Sequence, residues 1–167
     1  MNSRTAAGSP FSRVPESPPS RPLASARSPA LSGSWLATQG RLPLAFMALG
    51  LAWLVAATAL LVAQPTLLSL PHPHPQVVAL THAWMLGFFV TVACGAVYQL
   101  APVALGTTRC NERHGWWHFG LHALGVPGMV YSFWCWDLRL LGHFGFLTAL
   151  GIVLFAVNTW GTLRHSG

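Results

Sequence analysis

Lysine is absent from this 167-residue chain and only three acids are present, so nine arginines set a formal net charge of +6. Charged residues make up 7% of the sequence, against about 25% in an ordinary soluble domain. A chain so poor in charge cannot keep a folded surface in water, which excludes a cytosolic enzyme. The three acids, Glu16, Glu112 and Asp137, are scattered. They offer no carboxylate pair and no Ser/His/Asp set, and there is no glycine-rich phosphate loop, so no catalytic residue is assigned. Cysteine is scarce as well. Cys94, Cys110 and Cys135 are odd in number and lack CxxC or Cys/His zinc spacing, so they imply no disulfide framework. Cys94 and Cys135 lie in apolar runs and read as small buried hydrophobes. The arginines form no basic face, and nucleic acid is not an expected partner.

What is there is 53% hydrophobic, and the twelve charges show how it is laid out. Residues 1–41 are rich in Ser, Pro, Ala and Arg, as in Ser17-Pro18-Pro19-Ser20-Arg21-Pro22, with almost no periodic apolar pattern. Too little apolar surface exists to offset the entropy of ordering, and a disordered tail is expected. An Arg- and Ser-rich start can mark a transit peptide, but six prolines before residue 30 prevent the amphipathic helix that such a peptide needs.

Beyond the tail lie four uncharged runs, over about 42–63, 77–105, 116–136 and 140–163. Each has about the 20 residues that a helix needs to cross roughly 30 Å of hydrocarbon. None carries the charged face that a helix of a soluble bundle requires. The expectation is an all-α fold: an integral membrane four-helix bundle, up-down-up-down, over residues 42–164 behind the disordered tail. Pro43 suits the start of the first helix, and Pro102 and Pro127 should kink theirs.

With the N-terminus inside, the cytoplasmic side collects Arg4, Arg13, Arg21, Arg27, Arg41, Arg109, Arg113 and Arg164, leaving only Arg139 outside. Both termini are therefore placed in the cytoplasm and the protein in the inner membrane. The outer connection Gln64 to Gln76, with four prolines, is expected to be stiff and extended. The second, Asp137 to Arg139, is short enough to make its two helices antiparallel neighbours. Ala83, Gly87, Thr91 and Gly95 form a small-residue stripe that lets another backbone approach, and Gly145 and Ala149 repeat it in the last helix. Trp116, Trp117, Trp134, Trp136 and Trp160 read as interfacial anchors.

Histidine is the one titratable or strongly ligating side chain at membrane depth, which makes each such residue a candidate site. His82, five residues into the second helix, lies roughly 8 Å below its outer end. His143 enters the fourth helix from the same side at a depth within about one turn. Two imidazoles facing each other can ligate a haem iron from both sides, an arrangement suited to electron transfer. The alternative is that each bonds a neighbouring carbonyl or sits wet at the interface. In the third helix His114, His118 and His122 recur every four residues, with Met129 further along the face. His118 and His122 can share a metal, copper or zinc by ligand chemistry, though polar residues beside Arg113 need no such explanation. His72, His74 and His165 are expected to be solvated.

At the second helix the residues form a recognisable pattern. Thr81-His82-Ala83-Trp84-Met85-Leu86-Gly87-Phe88-Phe89, then Gly95-Ala96-Val97-Tyr98-Gln99-Leu100-Ala101-Pro102, resembles the second transmembrane helix of subunit I of the haem-copper oxidases. The likeness is nearest to the branch of the cbb-type cytochrome c oxidases and nitric-oxide-reductase-like proteins. The ending Val153-Leu154-Phe155-Ala156-Val157-Asn158-Thr159-Trp160-Gly161-Thr162-Leu163-Arg164 is similar to the end of another helix in those proteins. The resemblance implies that His82 is an axial ligand of a low-spin haem b near the outer face. The family's other haem and copper ligands lie on later helices that have no counterpart in this chain, so it implies no complete oxidase.

The expectation is thus a membrane haem-binding protein, an oxidoreductase component passing electrons in a respiratory or nitrogen-oxide-linked chain. His143, or His82 of a second copy, would be the other ligand, and the lipid bilayer and a larger oxidase-type subunit or a homo-oligomer its partners. Two alternatives stand beside it: a haem-free assembly or scaffold protein, and a copper- or zinc-handling protein using His118 and His122, with Met129 as a further candidate ligand.

Overall fold

The computed structural model describes residues 40–106 and 111–164, all within one compact unit, Gly33–Gly167. Among the described residues there is no strand, and four helices carry the fold: α1 (Arg41–Ala63), α2 (Pro75–Ala104), α3 (Glu112–Cys135) and α4 (Leu138–Arg164). The disordered tail expected over residues 1–41 lies outside the described residues, apart from Gly40 and Arg41 at the start of α1; Arg109, Cys110 and His165 lie outside them too. α1, α2 and α4, at 23, 30 and 27 residues, are long and apolar enough to cross a membrane. α3 is 24 residues long, but its histidines, glycines and charged first turn dilute its hydropathy and it is not among them.

The helix ends explain themselves locally. α3 begins earlier than the apolar run because Asn111 caps it, its side chain accepting from the backbone N–H groups of Arg113 (3.1 Å) and His114 (3.3 Å). A charged first turn belongs to a helix even though apolarity does not mark it. At the other end Trp136 takes a left-handed φ of 53° and the Asp137 N–H donates to the Ser132 carbonyl at 2.9 Å, closing α3. Asp137 Oδ1 then accepts from the N–H groups of Arg139 (2.9 Å) and Leu140 (3.1 Å). Two residues thereby end one helix and cap the next. The connection expected to be extended instead contains a 3₁₀ turn, Pro65–Ser69, with Leu67 buried. Pro65 presets the dihedral that starts it, and Ser69 Oγ donates back to the Thr66 carbonyl at 2.7 Å.

Within α2 the segment Ala83–Val90 is π-helical. Pro102 and Pro127 sit inside α2 and α3. The stripe of small residues on α2 does what its spacing implies. A Cβ on Gly87 would meet the Trp53 ring at 2.6 Å, and one on Gly95 would meet Phe46 Cβ at 3.0 Å, so α1 packs directly on this backbone. The matching stripe on α4 does not pack: Gly145 faces open space and Ala149 is exposed. The face that α4 turns inward carries Thr148, Gly151, Asn158 and Thr162 instead. Choosing the smallest residues missed it because two of those four are β-branched threonines whose hydroxyls bond their own helix, Thr148 to Phe144 and Thr162 to Asn158.

The distribution of polarity is the reverse of a water-soluble domain. Thr91, His118, His122, Ser132, Thr148, Asn158 and Thr162 are buried, while Leu44, Val55, Val62, Phe146 and Val157 are more than half exposed. Polar side chains inside and apolar side chains outside suit hydrocarbon surroundings.

Candidate functional site

α3 is fixed against α4 at its start. The Asn111 N–H donates to Asn158 Oδ1 (3.0 Å) and Asn158 Nδ2 returns a bond to the Asn111 carbonyl (3.1 Å). From that anchored end, the four-residue recurrence carries the histidines inward. His114 is exposed, whereas His118 and His122 have no exposed surface at all. The two buried rings stand 5.6 Å apart between centroids at 75°.

Every helix contributes to this pair. From α2, Thr91 Oγ1 lies 2.8 Å from His122 Nε2, and the Tyr98 hydroxyl lies 3.0 Å from His118 Nδ1. From α1 the Phe46 ring sits 4.9 Å from the His118 ring and 6.1 Å from that of His122. From α4 the Phe155 ring is 5.3 Å from His118, and a Cβ on Gly151 would come within 3.3 Å of His118 Cδ2. The π-helical segment ends where Thr91 begins. Its wider turns rotate Thr91 and the rest of α2 about the helix axis, and the Thr91 hydroxyl donates five residues back to the Leu86 carbonyl at 2.8 Å.

That bond assigns a proton. A hydroxyl whose hydrogen goes to Leu86 can only accept from His122, so His122 carries its proton on Nε2. In the uncharged ring, Nδ1 then holds a lone pair. Neither that atom nor His118 Nε2 has a hydrogen-bond partner, and both are buried. A buried polar atom without a partner calls for an explanation.

His82 and His143 are held differently. Each places Nδ1 on the carbonyl four residues back in its own helix, His82 on Val78 at 2.8 Å and His143 on Arg139 at 2.7 Å. A carbonyl only accepts, so Nδ1 bears the hydrogen and Nε2 is left with a lone pair for a ligand. His82 is half-buried with its ring 4.3 Å from that of Phe133, whereas His143 is exposed. Ring contacts among the described residues join His82 to Phe133 and not to His143. Both are nonetheless in the tautomer that an iron or another metal needs from Nε2. Met129 is half-buried, nearly two turns beyond His122.

Among the described residues no group of three or more His, Cys, Asp or Glu side chains stands ready to hold a metal ion. No family model, no curated protein and no solved structure matches the chain. Thr91, Tyr98 and Phe46 are the site residues that sequence reasoning did not single out. Thr91 belongs to the small-residue stripe and Tyr98 to the oxidase-like motif, so neither stood out as a site residue. The available signal was the spacing of seven between Thr91 and Tyr98, which puts two hydroxyls on one face of α2 about two turns apart.

Proposed function

We propose that the chain is an integral membrane protein that holds haem b through His82 and passes electrons in a respiratory or nitrogen-oxide-linked chain, as a component and not a complete oxidase. The observation that carries this reading is the bond from His82 Nδ1 to the Val78 carbonyl. It leaves Nε2 as a lone pair at the depth where the sequence likeness to oxidase subunit I puts a haem ligand. His143 is prepared in the same way, and it, or His82 of a second copy, supplies the other ligand.

The protein's own residues hold and tune such a site. The i−4 carbonyl bonds fix each imidazole's tautomer and raise its basicity as a ligand. Phe133 stacks on His82 and keeps one of its faces apolar. A haem held by two histidines supplies one-electron transfer with no open position for oxygen.

In this reading all four helices cross the inner membrane, up-down-up-down, with both termini in the cytoplasm by the arginine distribution. α3 crosses despite its modest hydropathy because the groups that lower it are turned inward: His118, His122 and Ser132 are buried and Glu112 and Arg113 stand at its end. Lipid meets Leu124 and Tyr131, both 60% exposed. A larger oxidase-type subunit or a second copy of the chain completes the electron path.

The test is a reduced-minus-oxidised spectrum of the detergent-purified chain from haem-replete cells. A b-type α-band is expected. A haem-free preparation overturns the reading and leaves an assembly or scaffold protein, or a copper- or zinc-handling one, in its place.

A further inference from the structure

We propose that His118 and His122 form a second site, separate from the haem reading and independent of it: a two-coordinate site for a soft monovalent cation, Cu(I), in which His118 Nε2 and His122 Nδ1 are the ligands. The two nitrogens are the buried side-chain polar atoms left without partners among the described residues, and they belong to rings 5.6 Å apart. An imidazole nitrogen lies about 1.1 Å from its ring centre and a metal–imidazole bond is about 2 Å long. Two rings sharing one ion are therefore at most about 6.3 Å apart, and the observed separation lies within that limit.

The opposite edge of each ring is already supported. The Thr91 hydroxyl accepts from His122 Nε2, which leaves Nδ1 free to ligate, and the Tyr98 hydroxyl lies 3.0 Å from His118 Nδ1, the ring edge that carries the proton when Nε2 is the ligand. Metal-bound histidines are held by such partners on their other nitrogen. Gly151 keeps the His118 Cδ2 edge, next to Nε2, clear of a side chain on α4.

Charge and ligand number select the class of ion. Among the described residues no carboxylate is gathered with the pair, so a divalent ion would bring two uncompensated charges into a buried site. Structural Zn²⁺ also demands four ligands, and no set of three His, Cys, Asp or Glu is gathered among the described residues. Cu(I) brings one charge and is satisfied by two imidazoles. The Phe46 ring lies beside both histidines and helps to close the pair off.

The purified full-length chain, stripped of metal and titrated with Cu(I) delivered as its acetonitrile complex against a chromogenic chelator, is expected to bind one equivalent. X-ray absorption should show two nitrogen neighbours at about 2 Å and no sulfur. Thr91→Val is expected to weaken binding by about 10- to 100-fold, and the double variant His118→Ala/His122→Ala to abolish it. Cys94→Ser and His82→Ala are expected to bind as wild type. Absence of stoichiometric copper, a sulfur neighbour, loss of copper in Cys94→Ser, or undiminished copper in the double variant overturns the site. If the double variant does not fold, the absorption spectrum of the wild type and the Thr91→Val titration decide. Loss of the haem band with copper retained separates failure of the haem reading from failure of this one.

Discussion

The two pairs of histidines in this protein share a side chain and differ in everything around it. His82 and His143 take their hydrogen-bond partners from their own helices, four residues back. His118 and His122 take theirs from a neighbouring helix, through Thr91 and Tyr98. The first arrangement needs no tertiary contact and leaves a nitrogen directed away from the backbone, where a ligand from outside can meet it. The second exists only once α2 and α3 have packed. The outer histidines can therefore be removed with little effect on the fold, whereas the inner ones are part of what holds the helices in register.

That contrast can be broken most sharply by spectra. His82→Ala is expected to abolish the b-type α-band, while His118→Ala leaves it in place; loss of the band in both would mean that the two regions are one site. His143→Ala is expected to abolish the band as well, and a band that persists there means that a second copy's His82 is the other ligand.

The remaining effects are on stability, read as thermal unfolding in detergent. Phe46 has no exposed surface and touches both inner rings, so Phe46→Ala should cost about 3–5 kcal/mol by opening a cavity. No comparable loss is expected for His82→Ala, and an equal loss would erase the distinction between the pairs. Thr91→Val keeps the shape but leaves the His122 N–H without an acceptor, a cost of about 1–3 kcal/mol. The smallest effect is expected at the turn, where Trp136→Gly should raise stability by about 1 kcal/mol by relieving the left-handed φ. A loss there would show that the indole anchors more than the backbone strains.

Much of the helical layout could be read from the chain directly, because the absence of charge over 20 or more residues is a local property. α1 and α4 begin and end within two residues of their apolar runs. α3 departs at its start because Asn111, Glu112 and Arg113 make a good helix N-terminus and a poor apolar run. The π-helical segment of α2 and the left-handed Trp136 had no sequence signal. Ala83–Val90 is as apolar as an α-helix would be, and glycine, not tryptophan, is the residue expected at positive φ.

The site was legible in part. The i, i+4, i+8 recurrence put His114, His118 and His122 on one stripe, but the stripe does not say where water or lipid ends. The structure decides that His114 is exposed and the other two are sealed.

By itself, then, the sequence determined that this is an all-helical protein with long apolar segments whose interior chemistry rests on histidine, since composition and run length are sums over neighbouring residues. Tertiary structure alone decided which histidines are enclosed, which nitrogens have partners and which tautomer His122 adopts. Those properties depend on atoms brought together from four helices, and a hydroxyl 31 residues away in the chain leaves no trace in the local pattern around the ring it supports.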